Sequence, residues 1–185
     1  DVAEGEEHPF ESAARAVVAF DKPLVAAAQG VAIGGGATVL FHADIVYVGE
    51  SLRLRLPFAS LGLCPEGGSS LLLPSWIGRV RTAELLMLGG AFSADEAFRL
   101  ALINRVCEPE QTETSAFETC QRLAEKAPAA IRATKALLNQ PTMAALRETM
   151  LEEGQLFAER LKSPEAAEAF RAFMEKRAPD FSRFE

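Results

Sequence analysis

Strand and helix patterns alternate through the first 60 residues, and this alternation constrains the fold more than any other feature of the sequence. The apolar runs at 23–30, 44–50 and 52–57 are typical of strands, and the helical pattern at 34–43 begins with three consecutive glycines. Strands that alternate with helices favour parallel pairing, because the helix carries the chain back to the start of the next strand. We therefore predict an α/β fold with parallel strands.

Helical patterns take over after residue 65. One helix ends at Gly89-Gly90, which is a C-cap signal, and another begins at Ser93, which has Glu96 at the spacing of a capping box. The sequence predicts a core at residues 1–110 and a helical C-terminal region at 111–185, with helices at 112–126, 128–139, 142–162 and 164–176.

The charge balance and the cysteines limit the classes of partner. The net charge of −7, from 19 basic and 26 acidic residues, argues against nucleic acid because phosphate binding needs a basic face. No apolar run reaches the roughly 18 residues of a membrane helix. Cys64, Cys107 and Cys120 are too widely spaced for a metal motif, and an odd number of cysteines fits a reducing compartment. We expect a cytoplasmic protein without a metal site and without a nucleic-acid or membrane partner.

Gly34, Gly35 and Gly36 lie between a predicted strand and a predicted helix. Glycine allows a ligand to approach the backbone, and the free N–H groups of a first helical turn favour a phosphate or a forming oxyanion. The dinucleotide fingerprint GxGxxG is not satisfied, and the P-loop lysine is missing. Tight packing of the strand against the helix also explains the glycines, so both interpretations stay open.

Glu66, in the stretch LCPEGGSS, is a carboxylate between apolar segments. Apolar surroundings raise the pKa of a carboxyl group toward neutrality, as a general base requires. Pro-Glu-Gly-Gly is also favourable turn chemistry, so a solvent-facing turn is the alternative.

His42 with Asp44 is either a catalytic pair or a hydrogen-bonded core residue, and Arg79 with Arg81 either meets an anionic ligand or faces solvent. The pattern favours a core position for His42 and a solvent-facing position for Arg79 and Arg81.

Three stretches carry a resemblance to the crotonase (enoyl-CoA hydratase/isomerase) superfamily over nearly the whole chain. They are KPLVAAAQGVAIGGGATVL, ADIVYVGESLRLRLPFASLGLCPEGGSSLLLPSWIGRVRTAELLMLGGAFSADEAFRLALINRVCEP and SPEAAEAFRAFMEKRAPDF, in this order. The resemblance implies a ClpP/crotonase-like ββα spiral core with a helical C-terminal region, assembled as homotrimers or hexamers. It also implies an acyl-CoA thioester substrate and no separate cofactor, because coenzyme A is part of the substrate. Asp1 is similar to the Asp of the family segment A-G-x-D, so we expect the N-terminal part of the family domain to be missing.

The resemblance also assigns roles to residues. One oxyanion N–H matches Gly35, and the other is expected upstream of Asp1. Thr38 and Phe58 replace the two hydratase glutamates, whereas Glu66 is similar to the single catalytic base of peroxisomal-type Δ3,Δ2-enoyl-CoA isomerases. This implies an isomerase in which Glu66 moves a proton from C2 to C4. The alternatives are a hydratase-like or other acyl-CoA reaction, and a non-catalytic acyl-CoA-binding or assembly module. The residues expected to contact the substrate are Gly34, Gly36, Phe58, Leu61, Leu63 and Trp76.

Overall fold

Two strands followed by a helix occur twice in the first half of the chain. The computed structural model describes residues 9–184, and it describes side chains from residue 12 onward. The elements up to residue 88 are α1 (Pro9–Ala19), β1 (Val25–Ala28), β2 (Val31–Ile33), α2 (Gly35–Thr38, extended by a 3₁₀ turn at Val39–His42), β3 (Ile45–Gly49), β4 (Arg53–Arg55), a 3₁₀ turn at Ala59–Leu61, and α3 (Ser69–Ala83, extended by π-helical turns at Glu84–Leu88).

Helices dominate the second half. The Ser93 hydroxyl accepts a hydrogen bond from the Glu96 N–H at 3.2 Å, and the Glu96 carboxylate accepts one from the Ser93 N–H at 2.8 Å. The predicted capping box is therefore confirmed. The remaining elements are β5 (Ala91–Ser93), α4 (Ala94–Arg99), β6 (Arg105–Cys107), a 3₁₀ turn at Pro109–Gln111, α5 (Thr112–Ala124), α6 (Pro128–Leu161) and α7 (Pro164–Met174).

Each pair of consecutive strands sends its two members to two different sheets. The first sheet has the order β1-β3-β6 and is parallel throughout, with Val25 opposite Ile45 and Val48 opposite Val106. The second sheet has the order β2-β4-β5, in which β2 and β4 are parallel. The predicted ββα spiral is confirmed. The strand β5 runs antiparallel to β4, which the sequence did not indicate because three residues are too short to display a strand period.

The strands and the C-terminal helices share one buried core. Leu54 of β4, Leu73 of α3 and Leu146 of α6 belong to the same cluster of buried side chains. Arg53 and Arg55, which flank Leu54, are exposed, as a strand with one wet face requires. Since burial of each leucine stabilises the fold by about 1.5–3 kcal/mol, the core ties α6 to the strands that carry the glycine turn.

The predicted break between helices 128–139 and 142–162 is wrong. The helix α6 is continuous from Pro128 to Leu161 and contains Pro141. A proline inside a helix costs about 3 kcal/mol. Buried side chains on both sides of the proline, Lys135 and Leu146, hold α6 against the core, so tertiary contacts outweigh the local signal. Neither α6 nor any other helix in residues 9–184 combines the length and the apolar character needed to pass through a bilayer.

Candidate active site

Gly34 precedes α2 in a backbone conformation that side chains with a Cβ rarely adopt, with φ of 53° and ψ of −123°. Its carbonyl oxygen accepts hydrogen bonds from the N–H groups of Ala37, at 2.8 Å, and Thr38, at 2.9 Å. The N–H groups of Gly35 and Gly36 belong to the first helical turn, where no helical acceptor precedes them. The turn can therefore offer backbone donors to a developing negative charge.

The Glu66 carboxylate lies beside this glycine turn. A Cβ placed on Gly34 would be 3.8 Å from Glu66 Oε1 and 3.9 Å from Phe58 Cε1. Glu66 is half-buried and Phe58 is buried. A Cβ placed on Gly36 would meet nothing within 4 Å among the described residues. The structure thus brings Gly34, Phe58 and Glu66 of the predicted site together, and it sets a proton acceptor next to the turn that holds the backbone donors.

Thr38 and Phe58 occupy the positions that carry glutamate in hydratases according to the resemblance. Both are buried, with exposed fractions of 0% and 3%. The Thr38 hydroxyl donates to the Gly35 carbonyl at 3.3 Å, inside the turn of α2. Neither side chain can accept a proton from a substrate. Glu66 is therefore the acid–base candidate beside the glycine turn.

His42 holds the residue that follows Glu66. Its Nε2 lies 2.8 Å from the Gly67 carbonyl oxygen. Burial lowers the pKa of His42 below its usual range, so the ring is neutral at pH 7 and donates through Nε2–H. Asp44 instead accepts from Lys135 Nζ at 2.8 Å and from the Leu24 N–H at 2.7 Å. His42 is thus the hydrogen-bonded core residue that the pattern favoured, and it does not form a catalytic pair with Asp44.

An apolar cavity of about 390 Å³ adjoins the segment that precedes Glu66. Leu63, Cys64 and Pro65 line it from this segment, and Arg79, Leu86 and Met87 line it from α3 and the π-helical turns that follow. Burial raises the pKa of the Cys64 thiol, so the group stays protonated and is a poor nucleophile. Leu63 is therefore placed where an apolar chain could contact it.

The positions of Leu61 and Trp76, two other predicted substrate contacts, do not test whether these residues contact a substrate. Leu61 is half-buried in the 3₁₀ turn that follows Phe58. Trp76 lies on α3 with 45% of its surface exposed, and its ring packs edge-on against Phe41 with the ring centroids 6.0 Å apart. Both assignments stay predictions. Asp1 and the second oxyanion donor expected upstream of it lie outside the described residues.

One residue near the site is not indicated by the sequence. Glu153 on α6 is buried, and its carboxylate accepts hydrogen bonds from the N–H groups of Gly68, at 2.6 Å, and Ser70, at 2.9 Å. Glu153 lies 85 residues after Gly68 in the chain. No local motif indicates this contact, because it depends on how α6 packs against the start of α3.

The chain is similar to proteins of one family over nearly its whole length. A family model described as enoyl-CoA hydratase/isomerase matches residues 3–183. Over 163 residues the chain is 32% identical to 2,3-dehydroadipyl-CoA hydratase of Escherichia coli K12, covering 88% of this chain and 64% of the relative. Over 169 residues it is 36% identical to carnitinyl-CoA dehydratase of Salmonella typhi, covering 86% and 63%.

A solved structure shows the same similarity. The enoyl-CoA hydratase/isomerase from Pseudoalteromonas atlantica T6c superposes with a TM-score of 0.88 at 38% identity, covering 91% of this chain and 68% of that one. The chain spans slightly less than two thirds of the length of the two curated relatives.

Proposed function

Because the chain belongs to the enoyl-CoA hydratase/isomerase family, we propose that it acts on acyl-CoA thioesters and that Glu66 moves a proton at the carbon next to the thioester carbonyl. One observation carries the proposal: Glu66 Oε1 lies 3.8 Å from the Cβ position of Gly34, at the start of the helix whose first N–H groups belong to Gly35 and Gly36. A base and an oxyanion stabiliser in one small space suit the formation of an enolate.

The proposed reaction is the shift of a double bond from C3–C4 to C2–C3. The Glu66 carboxylate removes a proton from C2, and the negative charge of the resulting dienolate settles on the thioester oxygen. The Gly35 N–H donates to that oxygen. The protonated Glu66 then returns the proton to C4, which forms the conjugated product and restores the carboxylate. One acid–base group is sufficient for this sequence, which agrees with the absence of carboxylates at Thr38 and Phe58.

Hydration or dehydration of an acyl-CoA is the second candidate. Its support comes from two relatives, a 2,3-dehydroadipyl-CoA hydratase and a carnitinyl-CoA dehydratase, whose names favour it over the isomerisation. In this reaction Glu66 would serve both steps of dehydration, first removing the C2 proton and then protonating the departing C3 hydroxyl. Both candidates require the same enolate and the same carboxylate.

Isotopic labels separate the two reactions. An isomerase converts 3-hexenoyl-CoA that is deuterated at C2 to 2-hexenoyl-CoA, and it carries some of the deuterium from C2 to C4. A hydratase instead adds labelled oxygen from the solvent water to crotonyl-CoA. We expect Glu66→Gln to reduce either turnover by about a thousandfold, since general acid–base catalysis contributes about 10²–10⁴-fold. Activity that survives within about tenfold, about 1.4 kcal/mol of barrier, would show that Glu66 has another role.

We also propose that the protein assembles as a homotrimer or hexamer through its C-terminal helices. Large apolar side chains on α6 and α7 are exposed, and packing against another subunit would bury them. They include Leu137, Leu138, Leu151, Phe173 and Met174, with exposed fractions between 57% and 79%. Sedimentation equilibrium tests this, and a monomer at micromolar concentration would contradict it.

A further inference from the structure

The start of α3 is capped by a carboxylate from a distant helix. Gly68 is the N-cap residue of α3 and has no side chain that could accept from the first turn. Glu153 replaces such a cap, with Oε2 2.6 Å from the Gly68 N and Oε1 2.9 Å from the Ser70 N. Only 8% of Glu153 is exposed. A buried carboxylate at a helix N-terminus makes strong, charge-assisted hydrogen bonds.

The capped backbone is the segment that carries Glu66. Gly67 and Gly68 both have positive φ, 66° and 75°, so the segment turns twice within two residues. Such a turn has many conformations available unless its peptide groups are held. The Glu66 carbonyl accepts from the Ser69 hydroxyl at 2.7 Å, and the Gly67 carbonyl accepts from His42 Nε2 at 2.8 Å. Glu153 supplies the two bonds that hold the other side of the turn.

The helix α6 also packs directly on this turn. A Cβ on Gly68 would lie 2.2 Å from Leu146 Cδ1 and 3.4 Å from Met150 Cγ. Leu146, Met150 and Glu153 are spaced by three and four residues, so they share one face of α6. This face therefore meets the turn through two apolar side chains and one carboxylate.

We propose that Glu153 is a positioning residue, which holds the Gly67–Ser70 backbone so that the Glu66 carboxylate stays in register with the glycine turn. The proposal rests on the proposed function of Glu66. Glu153 itself does not touch the substrate. Loss of its bonds lets the turn relax, and a displacement of about 1 Å at a catalytic group can cost about 10²-fold in rate.

Three substitutions at two neighbouring positions test the role. Glu153→Gln keeps the volume and one acceptor oxygen, and Glu153→Ala removes both acceptors. We expect kcat to fall about tenfold in the first and about a hundredfold in the second, with KM within about twofold of wild type. Glu152→Gln is the matched control, because it makes the same chemical change at an exposed neighbouring residue, and its kcat is expected to be unchanged.

If Glu153 had a purely structural role, its substitution would lower stability without lowering the kcat of the folded protein. Glu168→Gln removes another buried carboxylate, one that binds the C-terminal tail and lies outside the site, so it controls for lost stability. Each kcat is measured per folded molecule at a temperature well below unfolding, and Glu153→Gln decides the test if Glu153→Ala does not fold. The inference about Glu153 would be overturned if Glu153→Gln kept the wild-type kcat, or if only its KM changed. In that case an inactive Glu66→Gln would still leave the proposed function intact. Full activity in Glu66→Gln would overturn the proposed function itself.

Discussion

A methyl group added to Gly34 probes the space between the glycine turn and Glu66. In Gly34→Ala the new carbon would lie 3.8 Å from Glu66 Oε1 and 3.9 Å from Phe58 Cε1, which is ordinary van der Waals contact. The stability cost therefore comes from the backbone conformation, φ of 53° with ψ of −123°, which costs a residue with a Cβ about 1–3 kcal/mol. For a chain of this size this corresponds to a decrease in Tm of about 2–12 °C.

The same methyl group has a larger effect on activity. A reacting carbon must approach the base oxygen to about 3–3.5 Å, and the methyl group would occupy the glycine side of that position. We expect kcat/KM to fall about a hundredfold. Gly30→Ala is the matched control, because Gly30 has a φ of +74° but a Cβ there would meet nothing within 4 Å. It should show a similar loss of stability and nearly wild-type activity.

Steady-state kinetics with an acyl-CoA thioester and thermal unfolding monitored by circular dichroism provide the comparison. Values of kcat/KM within about threefold of each other in folded Gly34→Ala and Gly30→Ala, less than 1 kcal/mol in barrier, would contradict the expectation. That result would mean that the space beside Glu66 Oε1 is not the space that the substrate occupies.

Two further predictions concern stability. In Gly62→Ala the new Cβ would lie 2.7 Å from the backbone N of Ala166, at a φ of +70°, so urea unfolding should show a loss of about 2–5 kcal/mol, more than in Gly30→Ala; equal losses would contradict the close approach of α7. The hydrogen bond from Arg177 lowers the pKa of Glu168 from 4.5 to about 2, so the ionised carboxylate stabilises the fold fully above pH 4.5 and progressively less as the pH falls to about 2. Glu168→Gln should therefore be less stable than wild type at pH 7, and its free energy of unfolding should change less between pH 4.5 and 2. Parallel plots of unfolding free energy against pH for the two proteins would refute the assignment of this stabilisation to Glu168.

The local signals in the sequence predict most of the elements that surround the site. The strands at 23–30 and 44–50, the glycine-led helix and the Ser93–Glu96 capping box are all present, because each depends on residues close together in the chain. The helix break predicted at Pro141 is wrong because the local effect of a proline is outweighed here. Contacts of Lys135 and Leu146 with residues distant in the chain keep α6 continuous.

The site itself was predictable only in part. The residue types at Gly35 and Glu66 indicate an oxyanion stabiliser and a base, but their proximity depends on the turn of the spiral between them. Glu153 carries no signal at all, because a glutamate in a charged helix is normally exposed. Its role arises from a contact that spans 85 residues.

Proton exchange at C2 of an acyl-CoA in D₂O tests the central claim most directly, because it requires the base and the oxyanion donors and does not depend on which reaction follows. With butyryl-CoA, we expect the wild-type protein to incorporate deuterium at C2, as detected by mass spectrometry. Glu66→Gln should reduce the rate by about a thousandfold, whereas the exposed-site variant Glu152→Gln should exchange at the wild-type rate. Exchange by Glu66→Gln within about tenfold of wild type would contradict the assignment of Glu66 as the acid–base group.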